Sequence, residues 1–367
     1  MKVMHFIQSL EGGGAERQLC YLSKGLVEHG VDNYIVYIRD GVNGGLARES
    51  GANLIQLKAN SNYDPRILSG LISAAADVKP DVIQVWLPQM TLLGAIVSAM
   101  LGIPFILSER NSSAAYKNGI IANIRKVVGR RAAAIVANSN EGIKYWQRAS
   151  KVDVKCVIPN CVDLEAIEAV GGEFPVDKSF DGKTIVVFAG RFHEQKNVRR
   201  LFQAFKKLVN RDDDILVVMY GEGPIKDEIV REIEVDNIKR IRVKGYTTKL
   251  FCILKQTNLF VSTSLYEGSP NTVKESMAAG CLMVISDIPE HREVVPEKAA
   301  FFANPYSVES IEEAMWRALC DDGAKDKIRL AKDAVRGCSY NGMAKKYLKV
   351  YNLVVNLNFK GSVFSGK

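Results

Sequence analysis

Apolar residues along this chain come in short, nearly continuous runs, separated by stretches where they recur every three or four positions. The runs fall at 3–8, 34–38, 53–57, 82–86, 105–108, 134–138 and 155–158, then at 184–189, 215–220, 241–244, 259–263 and 283–286. Helical spacing marks 15–29, 65–78, 91–101, 120–131 and 141–148, and later 309–320 and 341–354. Runs without polar alternation predict strands buried on both faces, and strand–helix alternation predicts a parallel sheet covered by helices. Between the two series lies 160–183, NCVDLEAIEAVGGEFPVDKSFDGK, whose Gly pair, proline and acids with little periodicity predict a linker. The expected fold class is α/β, with two Rossmann-like doubly wound domains in series. The longest apolar run, 91–107, is interrupted by Gly102 and Pro104 and predicts a helix, a turn and a strand rather than a membrane span.

Open parallel sheets bind ligands at the carboxyl ends of their strands. The richest such end is 258–280, NLFVSTSLYEGSPNTVKESMAAG. A turn around Gly268 follows the strand; Ser269-Pro270 is expected as N-cap and first helical turn, and Val273, Met277 and Ala278 continue at helical spacing. Backbone N–H groups between Ser269 and Thr272 (on Ser269, Asn271 and Thr272, Pro270 having none) would face the carboxyl edge, where phosphate binds readily. Glu267 and Glu275 bracket that edge eight residues apart. Strand, turn and capped helix are also ordinary architecture, and Thr272-x-x-Glu275 fits a capping box, so on spacing alone both readings stand. Glu267 lies in the loop, where no cap needs it.

Other strand ends carry candidate chemistry. Gly12-Gly13-Gly14-Ala-Glu16 opens a helix and reads either as a phosphate or sugar loop or as a tight turn. A nicotinamide fingerprint fails there, because its third glycine is Arg17. Gly190-Arg191 and Lys196 precede a helix with an apolar face, and the two cations either converge on a diphosphate or stand solvated in a loop. Gly245-Tyr246 and Ser108-Glu-Arg110-Asn111 end two further strands. Arg211-Asp-Asp-Asp214 lies at the amino end of a strand and reads as a solvated turn rather than a metal site.

Composition narrows the setting. The chain has 367 residues, 47% hydrophobic and 25% charged, which suits two globular domains with their own cores. A net charge of +8 favours anionic partners without choosing among them. Seven scattered cysteines with no CxxC suit a reducing cytosol and suggest no disulfide frame or zinc site. The amino terminus, MKVMHFIQSLEGGG, lacks the apolar core of a secretory signal.

The stretch Glu267-Gly-Ser-Pro-Asn-Thr-Val-Lys-Glu275 resembles the E-x7-E signature of retaining glycosyltransferases of family 4, and MAAGCLMVISDIPEHREVV is similar to that family's continuation. Gly-Arg…Lys-Asn resembles its diphosphate-binding pattern. Ile158-Pro-Asn-Cys-Val-Asp163 resembles its interdomain motif, with Cys161 in place of glycine. The resemblance implies a GT-B fold with two Rossmann-like domains facing a central cleft. It divides the chain into an acceptor domain, 1–165 with the helix 341–367, and a donor domain, 166–340. It implies a retaining hexosyl transfer from a nucleoside diphosphate sugar, UDP-linked as the family's commonest case, with no cofactor and no metal. Glu267, Arg191 and Lys196 would act in catalysis. Gly190, Gly245, Tyr246, Ser269, Pro270, Asn271, Thr272 and Glu275 would hold the donor; Gly13, Gly14, Arg110 and Asn111 would face the acceptor. Family members often carry a histidine where this chain has Arg110. A nucleotide-sugar epimerase of the same fold, or a silent sugar-nucleotide-binding partner, are the alternatives.

From Arg110 to Arg131 the chain holds six cations and no acid. Lys117, Arg125, Lys126, Arg130 and Arg131 flank an apolar stripe of Ile120, Ile121, Ile124, Val127 and Val128. A core-packed helix with a solvated basic face is one reading. The other is a patch for the anionic inner leaflet, serving a polyprenyl-diphosphate-linked acceptor, as similar members do in O-antigen, lipopolysaccharide and capsule synthesis. Nucleic acid is disfavoured, since no aromatic platform accompanies the charge. The expected location is cytoplasmic, peripheral to the membrane.

Overall fold

The computed structural model describes residues 1–112, 120–149, 152–170 and 182–364. The chain divides into two compact units, one of 1–161 with 338–367 and the other of 162–337.

The first unit runs β1 (Lys2–Phe6), α1 (Gly14–Glu28), β2 (Asp32–Tyr37), α2 (Gly44–Glu49), β3 (Asn53–Gln56), α3 (Arg66–Val78), β4 (Val82–Trp86), α4 (Leu87–Leu101), β5 (Phe105–Glu109), α5 (Ile120–Gly129), β6 (Ala134–Ala137), α6 (Asn140–Ala149) and β7 (Val154–Val157). The second runs α7 (Leu164–Ala169), β8 (Thr184–Ala189), α8 (Val198–Val209), β9 (Ile215–Tyr220), α9 (Lys226–Val235), β10 (Ile241–Lys244), α10 (Leu250–Leu254), β11 (Leu259–Ser262), α11 (Asn271–Ala279), β12 (Leu282–Ser286), α12 (Pro289–Val294), β13 (Phe301–Ala303), α13 (Val308–Leu319) and α14 (Ala324–Val335). The last helix, α15 (Tyr340–Phe364), belongs to the first unit.

Each unit is a parallel sheet wound in both directions. Strand order is β3-β2-β1-β4-β5-β6-β7 in one and β10-β9-β8-β11-β12-β13 in the other. The order reverses between β1 and β4 and between β8 and β11, and a crevice opens at the carboxyl ends of such pairs. Each sheet has apolar clusters on both faces, as the unbroken runs require. Val186, Val217 and Val261 face one side of the second sheet, and their neighbours Val187, Val218 and Phe260 the other.

The boundaries fall a few residues from those expected. The first unit ends at Cys161, not 165, because Gln18 ties that residue to α1. Its side-chain amide donates to the Cys161 carbonyl at 2.9 Å and accepts the Cys161 N–H at 2.9 Å. Cys161 is absent from the positive-φ residues, so nothing there calls for the glycine of the interdomain motif. The return begins at Cys338, and Ala344 of α15 packs against Gly25 of α1, where a Cβ would stand 2.7 Å away. Close approach of the two helices explains that glycine.

Candidate active site

At the reversal of the second sheet, the loops after β8 and β11 meet. Lys196 Nζ donates to Glu267 Oε1, joining them with an ion pair whose side chains are largely buried. Ser264 Oγ donates to the same carboxylate oxygen at 2.6 Å. Glu267 thus has its charge balanced and its orientation held before any ligand is present. Arg191 is exposed at the end of β8. Lys196 closes a single 3-10 turn, 194–196, and its stem passes 3.8 Å from the Cβ position of Gly190.

The start of α11 differs from expectation. Pro270 is the N-cap, with ψ of 77°, and the helix begins at Asn271. Ser269 makes no side-chain cap; instead its carbonyl accepts the Asn271 N–H at 2.9 Å, folding a tight turn ahead of the helix. The Ser269 and Thr263 hydroxyls are shielded from solvent and take no partner among the described residues. They lie with the first-turn amides of α11, including that of Thr272, at the carboxyl edge, a set of donors suited to an anion. Glu275 is buried one turn further along α11. Thr272 lies inside the helix rather than at its N-cap, which is Pro270, and its carbonyl accepts Ser276 Oγ at 2.7 Å.

The neighbouring loops are pressed together. A Cβ on Gly221 would lie 1.9 Å from the Gly190 carbonyl, and Gly221 takes a φ of 144°. Only glycine lets the β9 loop approach the Gly190–Arg191 loop this closely. Glu222 accepts from Lys226 at 2.7 Å and from the Tyr246 N–H, which orients the Gly245–Tyr246 turn; the Tyr246 side chain is exposed. These interactions hold Glu222 below its ordinary range, with Lys226 the larger cause. The Asp212–Asp214 turn, at the amino end of β9, pairs with Lys183 and Arg240. Among the described residues no three His, Cys, Asp or Glu side chains cluster as a metal site would need.

In the first unit, two predicted roles change. Arg110 is buried, with its guanidinium 4.0 Å above the Trp86 ring, Nη1 donating to Asn160 at 3.1 Å and Nη2 to the Tyr347 hydroxyl at 2.6 Å. It joins β4, the end of the first unit and α15, and so is not a free contact for an acceptor. Arg125 is likewise buried, not part of a surface patch: it donates to Glu109 at 2.8 Å and lies over the Trp146 ring. Glu109 also accepts from Trp146 Nε1 at 2.8 Å and from the Arg110 and Asn111 amides at 2.9 and 3.0 Å. Asn111 is thereby held at the strand end. Lys126 is half-buried, Arg130 and Arg131 are exposed, and Lys117 lies outside the described residues.

Gly13 and Gly14 open α1, but Glu16 folds back over them, and a Cβ on Gly13 would lie 1.9 Å from its carboxylate. The chain's own acid thus occupies the N-terminus of that helix, which explains Gly13 without a ligand. Sequence reasoning missed the loop after β3. Asn62 accepts from Arg39 of the β2 loop and from Gln89 of α4, so this loop crosses the carboxyl ends of β2 and β1 to reach the β4 side of the reversal. Beside it Tyr63 is 94% exposed. Leu87, next to Trp86, takes a φ of 68°, a left-handed conformation that costs a branched residue about 1–2 kcal/mol and gathers at functional edges. No periodicity signals either feature.

Comparison with known proteins agrees with this arrangement. Residues 12–166 match the family model "Glycosyltransferase Family 4" and residues 173–334 match "Glycosyl transferases group 1". The chain is 25% identical over 287 residues, 76% of its length and 77% of the other's, to a Campylobacter jejuni GalNAc-alpha-(1->4)-GalNAc-alpha-(1->3)-diNAcBac-PP-undecaprenol alpha-1,4-N-acetyl-D-galactosaminyltransferase. It is 25% identical over 228 residues, 59% of its length and 45% of the other's, to a Staphylococcus aureus poly(ribitol-phosphate) alpha-N-acetylglucosaminyltransferase. The chain spans about half the length of the leading curated relatives it matches, between 45% and 58%. Anabaena HepE in complex with UDP and glucose superposes with a TM-score of 0.82 at 16% identity, covering 96% of this chain and 99% of that one.

Proposed function

The chain belongs to the GT-B glycosyltransferases, with a family 4 half and a group 1 half, and on that premise we propose that it moves a hexosyl unit from a UDP-sugar to a polyprenyl-diphosphate-linked glycan with retention of configuration. The observation that carries this reading is the Lys196–Glu267 pair across the β8/β11 reversal, with Arg191 exposed beside it and the buried Thr263 and Ser269 hydroxyls taking no partner among the described residues.

The donor's diphosphate lies at the start of α11, against Arg191 and Lys196. Cleavage of the sugar–phosphate bond leaves a growing negative charge on that diphosphate, and fixed cations stabilise it more in the transition state than in the ground state. Protein cations and the helix N-terminus carry this charge, so the reaction runs without a metal. As the diphosphate takes Lys196, Glu267 is left to orient the transferred sugar's hydroxyls and face the positive charge at its anomeric carbon. Glu275 accepts from the ribose hydroxyls, and the Gly245–Tyr246 turn borders the base.

The acceptor reading draws on the relative's name, which places its own reaction on a diphospho-undecaprenol glycan. In this chain, exposed Tyr63 with the planar amides of Asn62 and Gln89 provides a stacking face and hydrogen-bonding groups of the kind saccharides use. Among the described residues no helix is long and apolar enough to cross a membrane. Lys126, Arg130 and Arg131, beside exposed Ile124 and Val127 of α5, form the docking patch for an anionic cytoplasmic leaflet.

Incubation with a panel of nucleotide-sugars, with and without undecaprenyl-diphosphate-linked glycans, tests the whole reading. Glycan-dependent release of UDP with an elongated product is expected. Epimerised donor would establish the sugar-nucleotide epimerase instead, and binding without turnover a silent partner.

A further inference from the structure

The turn that carries Glu267 is held from behind by residues with no part in the chemistry above. Glu290, on α12, is buried, and its Oε1 accepts the backbone N–H of Glu267 at 3.3 Å. Ser286, the last residue of β12, donates its hydroxyl to the Ser264 carbonyl at 2.6 Å. Ser264 in turn donates to the Glu267 carboxylate, so Ser286 acts on the acid through one intervening residue. His291 is wholly buried beside Glu290 and donates Nδ1–H to the Ser286 carbonyl at 2.9 Å. Burial keeps the ring neutral, with its pKa held down to about 4, so the proton on Nδ1 leaves Nε2 bare; the ring is within electrostatic reach of both Glu267 and Lys196.

This polarity has a chemical consequence. A second cation here would compete with Lys196 for Glu267, and a mobile acid would lose its aim. Neutral His291 packs the space without charge, while Glu290 holds the turn from α12 and Ser286 from β12, the neighbour of β11 in the sheet. We propose that Glu290 and His291 are positioning residues: a bracket, built with Ser286, that fixes the Glu267 turn so that its carboxylate remains aimed when the diphosphate withdraws Lys196. The proposal rests on the reading of Glu267 as the group beside the transferred sugar.

Two measurements on the full chain test it. In hydrogen exchange, Glu290→Ala is expected to lower protection of the 264–268 segment about tenfold while the β8 and β9 segments keep theirs. In turnover of whichever donor the nucleotide-sugar panel identifies, Glu290→Ala and His291→Leu are expected to lower kcat by about ten- to a hundredfold with donor KM nearly unchanged, the signature of misplacement rather than lost binding. Glu290→Gln, whose amide oxygen still accepts the Glu267 N–H, and His291→Asn, whose amide still donates to Ser286, should recover most of the rate. Unchanged exchange at 264–268 overturns the bracket. Unchanged kcat, equal losses in kcat and UDP affinity, or no recovery in both conservative variants overturn the positioning role. Should wild type turn over no nucleotide-sugar, the proposed function fails, and the exchange result alone decides whether the bracket exists. Should the Glu290→Ala chain not fold, His291→Leu is read in the same way: lowered protection of 264–268 is expected, and unchanged protection overturns the bracket.

Discussion

Arg125 Nη2 lies 2.8 Å from Glu109 Oε2, with both side chains buried at the end of β5. The carboxylate also receives Trp146 Nε1 and two backbone amides, so α5 and α6 are tied to the loop that bears Arg110 and Asn111. Arg125→Ala leaves that acid buried without its cation, which costs about 3–5 kcal/mol. Urea unfolding followed by tryptophan fluorescence should show the loss in the first unit's transition. A change under about 1 kcal/mol, the size of a surface pair, would mean the pair is dispensable.

The ion pair of Lys196 with Glu267 makes a prediction of opposite sign for binding and rate. A donor diphosphate competes with Glu267 for Lys196. Glu267→Gln removes the competitor, so UDP affinity should hold or rise by up to about tenfold, roughly 1.4 kcal/mol, while transfer slows. Glu275→Gln should mainly weaken UDP. Arg191→Ala and Lys196→Ala should each cost about 2–4 kcal/mol of barrier, more in kcat than in donor binding. Calorimetric UDP titration beside transfer rates separates these cases, and weaker UDP binding in Glu267→Gln would remove the competition argument.

The parallel sheets were legible because buried strands must be apolar throughout; most of the expected runs lie within a residue or two of a strand. The short elements were not. β13 has three residues, too few for a pattern, and α9 (KDEIVREIEV) carries charge on nearly every turn, its packing resting on Ile229. The turn at Glu267 and the start of α11 could be marked from the sequence because they fall within a span of nine residues; the pairing of Glu267 with Lys196, 71 residues away, could not. Arg110 was not, because Trp86 lies 24 residues before it and Tyr347 lies 237 after it. An Arg in a cationic run reads as solvated until the fold supplies its aromatic and its acceptors. The same holds for Arg125, whose Glu109 lies 16 residues earlier.

Tyr63 gives the acceptor side a test of its own. The loop bearing it is stapled by Asp64, which accepts from the Asn60 and Arg66 amides, so the ring is presented rather than loose. Tyr63→Ala should raise the KM for the glycan acceptor about ten- to a hundredfold, as loss of about 1.5–3 kcal/mol of buried aromatic contact implies. Donor KM and thermal stability should not move. An unchanged acceptor KM would place the saccharide elsewhere.

Two buried histidines set an acid limit on stability. Burial holds His5 down to about 3 and His291 down to about 4, from an ordinary 6.5. His5 is neutral between Trp86 and Asn33, and His291 is neutral against Ser286. With native values depressed, the unfolded chain takes the protons first as pH falls below 6.5, so stability is full above that value and declines toward the native values. At pH 5 each histidine accounts for about 2 kcal/mol lost. Because they lie in different units, both unfolding transitions should move down between pH 7.5 and 5. Transitions that stay in place would mean the rings are not neutral and buried as described.

The docking patch we propose is narrower than the run of cations suggests. Arg125 faces inward, so Lys126, Arg130 and Arg131 carry the described charge, beside Ile124 at 46% and Val127 at 57% exposure. The neighbouring α4 adds exposed Leu92 and Met100. A helix with apolar side chains in water and cations beside them suits a headgroup surface, where each cation contributes about 1 kcal/mol and each inserted side chain about as much again. Three cations and two aliphatic groups therefore suffice for reversible binding. Co-sedimentation with phosphatidylserine-containing liposomes is expected at low salt, and its loss near 0.5 M, where the Debye length falls to roughly 4 Å. Replacing Lys126, Arg130 and Arg131 by serine should abolish it. Arg130 and Arg131 are exposed, so each of those changes should cost within about 0.5 kcal/mol of stability; half-buried Lys126, 5.5 Å above the Tyr145 ring, adds about 0.5–1 kcal/mol, and hydrolysis of soluble donor should continue. Adding Arg125→Ser to the set would destabilise the first unit by about 3–5 kcal/mol and mislead. Ile124→Ser with Val127→Ser should weaken binding to a similar degree at every salt concentration, the mark of an apolar contribution. Equal binding to phosphatidylcholine and phosphatidylserine vesicles, or an unaffected triple variant, would leave α5 a solvated helix with no membrane role.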